Sequence, residues 1–155
     1  MAFILEVKNK TDFKISKKNL LEILKILEKK IAGGGALAVV FVDGSESKKI
    51  NKAYRRKNKA TDILSFPTRD GASFPGGARG ELGDIFICPA LAKKKFGNAW
   101  KERVNYLFLH GVLHLLGYDH KTGEEALKME KLEKQILDPI SSDKVESPRQ
   151  SRDSF

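Results

Sequence analysis

The chain has 155 residues, of which 41% are hydrophobic and 32% charged, enough apolar content for one domain with a real core and too much for general disorder. It contains no run of 18 apolar residues, which excludes a transmembrane helix, and a single cysteine, Cys88, which excludes an intrachain disulfide and is compatible with a reducing cytoplasm. With 29 Lys+Arg against 20 Asp+Glu the formal net charge is +9, which points to a polyanionic partner without separating RNA, DNA and anionic lipid.

Residues 2–8 alternate loosely and predict a first strand, so the opening MAFILEVKNK reads as structure and not as a cleaved leader. Leu20, Ile23, Leu24, Leu27 and Ile31 then recur at helical spacing, with Ser16 as N-cap and Gly33, Gly34 and Gly35 as the stop. The Val-rich run Ala36 to Val42 predicts a buried strand. A second helix is expected from Ser45 or Ser47, with Ile50, Ala53 and Tyr54 on its apolar side. Ile63 to Phe66 is a strand stopped by Pro67, and the glycine-rich Thr68 to Gly80 reads as a mobile loop. Glu81 to Cys88 is a strand ended by Pro89, and a short helix follows to about Phe96, with Gly97 as its stop. A long helix spans about Trp100 to Leu116.

The last helix, about Gly123 to Leu137, is expected to turn Ala126, Leu127, Met129, Leu132 and Ile136 inward and to break at Asp138-Pro139. The polar, aperiodic residues 141–155 read as a disordered tail, leaving one domain over 1–140. Strands and helices alternate early and helices dominate late. The expected fold is therefore an α/β (α+β) layered domain with a small mixed sheet of about four strands and about five helices.

All three histidines, His110, His114 and His120, fall within HGVLHLLGYDH. His110 and His114 are four apart on the long helix and project from one face. Gly117 is placed to end that helix in the left-handed conformation, and Tyr118-Asp119 to bring His120 back toward the pair. Three neutral nitrogens with one position left over is the donor set of a catalytic zinc site. A single helical histidine is most often a surface or satisfied core residue, but the full pattern is harder to explain that way. A structural metal normally takes four ligands. Cys88 is a conceivable fourth, although its apolar strand favours a core thiol.

The zincin pattern H-E-x-x-H places its general base where this sequence has Gly111, so a peptidase working that way lacks its proton acceptor. Asp119 is either a substitute base, an orienting partner for a histidine, or a turn residue. From Lys48 to Lys59 there are seven Lys or Arg residues and no acidic one, a face that can track phosphates. Within it, Arg55 is suited to a bidentate phosphate contact, or alternatively to an ion pair with Asp62 or Asp84. Lys93, Lys94 and Lys95 extend the basic surface. Phe66, Phe74 and Tyr118 are candidates for stacking on unpaired bases, Phe66 and Tyr118 more naturally as core or pocket wall.

HGVLHLLGYDH resembles the signature of the YbeY family of metal-dependent endoribonucleases. The resemblance extends to YRRKNKATDILSFP, from Tyr54 to Pro67, and to ELGDIFIC, from Glu81 to Cys88, in the family's order over about Ala36 to Leu137. Asn58 and Ala60 depart from it, standing where the family more often has an acidic residue and a proline. The resemblance implies His110, His114 and His120 as ligands of one zinc ion or another divalent transition metal. It implies Arg55 and His114 as the residues on which catalysis depends, with Asp84 in a supporting role. It further implies a single-strand-specific endoribonuclease that processes ribosomal RNA at the 16S 3′ end, in the cytoplasm, with the ribosome or its small subunit as partner and no membrane association. Two other readings stand beside it: a non-catalytic RNA-binding assembly factor with a structural metal, and a metallohydrolase of another substrate class.

Overall fold

The computed structural model of the chain describes residues 2–31, 33–68, 82–119 and 121–146, with side chains as far as Ile140. Four strands, β1 (Phe3–Asn9), β2 (Gly35–Phe41), β3 (Ile63–Pro67) and β4 (Gly83–Ile87), form one mixed sheet in the order β1-β2-β4-β3. β1, β2 and β4 run parallel, and β3 lies antiparallel to β4 at the edge. Five α-helices accompany them: α1 (Lys17–Lys30), α2 (Gly44–Arg55), α3 (Pro89–Phe96), α4 (Trp100–Leu115) and α5 (Gly123–Glu146). The mixed sheet and the helix count agree with the sequence expectation.

Alternation within the strands sends Leu37, Val39, Phe41, Ile85 and Ile87 to the face on which the core forms, where they meet Leu20, Ile23, Leu24 and Leu27 of α1. Ser16 caps α1 as expected, accepting the Asn19 N–H at 3.1 Å. β4 enters its pairing at Gly83, whose φ of +134° and whose position admit no side chain, since a Cβ there would stand 2.2 Å from the Phe66 carbonyl oxygen. Cys88 is fully buried at the junction of β4 and α3. Burial pushes its thiol up from the ordinary range, as for a core residue.

Expectations for two helices, α2 and α5, are corrected. α2 begins earlier, at Gly44, because Asp43 caps it by accepting the Glu46 N–H at 2.8 Å. Its buried residues are the polar Ser47 and Asn51, while Ala53 and Tyr54 are exposed and Ile50 is half-buried. The reason is that the middle of α2 covers the backbone of the returning segment at Lys59 and Thr61, while Tyr54 meets the Phe66 ring edge-on. Ser47 Oγ donates to the Thr61 carbonyl at 2.6 Å and accepts its N–H at 2.9 Å, and Asn51 donates to the Lys59 carbonyl at 2.9 Å.

On α5, Leu127 is 67% exposed and the inward positions are Met129, Glu133, Ile136 and Ile140. The helix also continues through Pro139 to Glu146. Proline removes an intrahelical N–H and crowds the preceding turn. Ile136 and Ile140, buried on either side of it where α5 packs along α1, outweigh that cost. Residues 141–146 are thus helical rather than a tail, and the rest of the expected tail, 147–155, lies outside the described residues, as do 69–80 of the expected loop and residue 81, the expected start of the following strand. Among the described residues no helix is long and apolar enough to cross a membrane.

Candidate active site

α4 carries the histidine pair across the sheet. Val104, Leu107, Phe108 and Val112 are buried beneath it, and Gly111 lets it approach β3 and β4 closely. A Cβ at Gly111 would stand 3.1 Å from two Ile85 carbons and 3.3 Å from Ile63 Cδ1, so a side chain at this position is directed at the sheet. That accounts for the glycine where a zinc peptidase has glutamate.

His110 and His114, one turn apart, bring their Nε2 atoms to 3.1 Å, with ring planes at 75°. Two nitrogens of tetrahedral zinc, each about 2.0–2.1 Å from the ion, lie about 3.3 Å apart, so the pair is spaced as two donors to a shared cation. His110 Nδ1 lies 2.7 Å from the buried Glu133 carboxylate of α5, an interaction outside the sequence motif. The Tyr106 ring stacks on His110 at 5.4 Å and 26°, and is itself covered by Arg103, whose Cζ stands 4.6 Å from its centroid. Burial, and then the Glu133 charge, push the Tyr106 phenol up from its ordinary value.

α4 ends as expected at Gly117, with φ +101°. The Tyr118 N–H bonds the Leu113 carbonyl and the Gly117 N–H bonds that of His114, which is the Schellman arrangement. Tyr118 is half-buried and packed against the core. Asp119 stands 3.8 Å from Lys121. His120 and Phe74 lie outside the described residues, so the described site contains two of the three predicted ligands.

Arg55 faces the pair from the last turn of α2. Its Nη2 donates to the Ser65 carbonyl at 3.2 Å and its Cζ lies 5.6 Å from the centre of the buried Phe66 ring. The ion pair with Asp62 is not formed; Asp62 lies 3.9 Å from Arg103 instead. The Cys88 N–H to Asp62 carbonyl and Thr68 N–H to Leu82 carbonyl bonds fix the pairing phase of β3, which turns the main-chain groups of Ser65 to the open edge. Arg55, Ile63, Ser65, His110 and His114 line a cleft of about 210 Å³ there. A groove of about 410 Å³ on the other side of His110 is lined by Tyr106, Met129, Glu130 and Glu133. Lys48, Lys49, Lys52, Arg56, Lys57 and Lys59 are all exposed around Arg55. Asp84 is buried in β4, opposite Phe66.

Ser65 and Glu133 are the site residues that the sequence reading missed. Ser65 sits within the quoted motif, but only pairing phase puts it on the edge. Glu133 occupies an inward helical position on a face whose other buried residues are apolar.

The fold and cleft together define a helix-mounted histidine site facing an arginine across a sheet edge. A family model described as Endoribonuclease YbeY matches residues 5–141, and the chain belongs to that family. It is similar to the endoribonuclease YbeY of Nautilia profundicola, at 36% identity over 89% of this chain and 95% of that protein. It is 35% identical to that of Bacillus licheniformis, over 88% and 94% of the two chains. Identity to that of Bdellovibrio bacteriovorus is 45%, over 60% of this chain and 59% of that protein. Among solved structures, the solution structure of TM1509 from Thermotoga maritima matches with TM-score 0.60 and 26% identity, over 94% of this chain and 99% of that one.

Proposed function

We propose that the chain cleaves single-stranded RNA at the cleft between α4 and β3, using a divalent metal held by His110, His114 and His120. Family membership makes it an endoribonuclease of ribosomal RNA processing. The observation that carries the site reading is the convergence of His110 and His114 Nε2 at 3.1 Å in the cleft that Arg55 faces. Two lone-pair nitrogens so close repel unless a cation or a proton lies between them. Three imidazoles are a fitting donor set for zinc, and also for nickel, copper or iron. When bound, such an ion supplies Lewis acidity toward a phosphoryl oxygen or a nucleophile.

The chain's own residues do the rest. Arg55, anchored on the Ser65 carbonyl, presents its remaining N–H donors to a phosphate and offsets the charge that grows there during attack. The exposed lysines around it hold the flanking backbone by counterion release without reading sequence. The substrate proposed is ribosomal RNA near the 16S 3′ end on the small subunit, in the cytoplasm.

Metal-loaded, metal-stripped and His114→Ala protein should be incubated with a structured RNA containing single-stranded segments. Cleavage is expected from the loaded protein alone, and Arg55→Ala should lose about 10²–10³-fold in rate while remaining folded. Equal cleavage by loaded, stripped and His114→Ala samples would trace the activity to a contaminating nuclease. An RNA lacking one 2′-hydroxyl decides the nucleophile, because cleavage at that position excludes the 2′-hydroxyl route.

A further inference from the structure

We propose that Glu133 is a positioning residue for metal binding, holding His110 with its Nε2 lone pair turned toward His114. This rests on the metal reading above and extends it to a helix that the histidine motif does not include.

Glu133 is 6% exposed, on the face of α5 that otherwise buries Met129, Ile136 and Ile140. A carboxylate in such a place costs several kcal/mol of lost hydration unless it is partnered. Its partner is His110 Nδ1 at 2.7 Å, a separation typical of charge-assisted hydrogen bonds. A carboxylate accepts, so Nδ1 carries the proton and Nε2 keeps its lone pair. Nε2 is the atom 3.1 Å from His114 Nε2. Tyr106, stacked on His110 and backed by Arg103, restrains the ring from another side. A residue needed only to tie α4 to α5 could be apolar, like its neighbours on that face. A carboxylate is what an imidazole requires to fix its tautomer and raise its basicity toward a cation.

The test uses full-length wild type, Glu133→Leu, Glu133→Gln and His110→Ala. Zn2+ affinity is measured by competition with a chromogenic chelator, and thermal unfolding is followed on the metal-stripped proteins. Glu133→Leu is expected to weaken Zn2+ binding about 10–100-fold. Its metal-free unfolding temperature is measured beside the affinity, because removing one partner of a buried pair also acts on stability. Glu133→Gln, an uncharged acceptor of the same shape, should fall between.

Zn2+ affinity within about twofold of wild type in both Glu133 variants overturns the proposal, because positioning partners of metal ligands are worth at least about tenfold. Lowered metal-free stability with unchanged affinity overturns it too, leaving a tie between helices. Equal binding by wild type and His110→Ala defeats the metal reading itself, which separates the two failures. If Glu133→Leu does not fold, Glu133→Gln decides together with NMR of the His110 ring nitrogens in metal-free protein. The Nδ1-protonated form should dominate in wild type and lose ground in the variant; no change in tautomer or affinity refutes the role.

Discussion

Gly111 separates two chemistries that share a helix-borne histidine pair. Position 111 looks into Ile85 and Ile63, so even a restored glutamate would be spent against the sheet instead of serving as a base in the cleft. Gly111→Ala is expected to cost about 1–3 kcal/mol through overpacking, read as a lower urea midpoint with an unchanged slope. An alanine variant as stable as wild type would mean that α4 is free to rise off the sheet. Arg55 makes the complementary point. Its side chain is aimed by a main-chain carbonyl and an aromatic face rather than by a carboxylate, so its charge is not neutralised by Asp62.

Among the elements, α5 departs furthest from its sequence appearance. Pro139 looks like a terminator, yet the helix passes through it because Ile140 is buried at 4% one turn beyond Ile136. Ile140→Ala should therefore destabilise by about 2–5 kcal/mol, seen as a lower unfolding temperature, whereas a residue in a frayed end would change almost nothing. α2 shows the opposite behaviour. Its inner face is polar, and Ser47 and Asn51 hold the segment leading into β3, which fixes where Ile63 and Ser65 reach the cleft. Arg56, the C-cap of α2, takes the left-handed conformation at φ 60° and ends the helix directly after Arg55.

On the scale of the whole molecule, the positive excess becomes a path. Lys48, Lys52 and Arg55 are spaced four and three apart, so they lie along one exposed line of α2 that ends at the histidine cleft. A single strand following that line would release about 0.7 counterion for each phosphate neutralised. Lys52→Ala should reduce the salt slope of single-stranded RNA binding by about 0.7 and weaken binding alike for different sequences. A weakening confined to one RNA sequence would instead mark Lys52 as a base-reading residue.

Local pattern in the amino-acid sequence alone determined much of this protein. Helical periodicity marked α1 and α4, short apolar or alternating runs bounded by turn residues marked the strands, and the four-residue spacing of His110 and His114 put their rings on one face before any tertiary contact was considered. These features depend on neighbours within a turn or a pleat, so a short window of sequence contains their cause. Tertiary structure alone decided the strand order β1-β2-β4-β3, the exposure of Ser65 at an edge, the polar inner face of α2 and the reach of Glu133 to His110 across 23 residues. Each depends on which distant surfaces pack together, and a side chain's own neighbours do not encode whether the surface it meets will be apolar, a bare backbone or an imidazole.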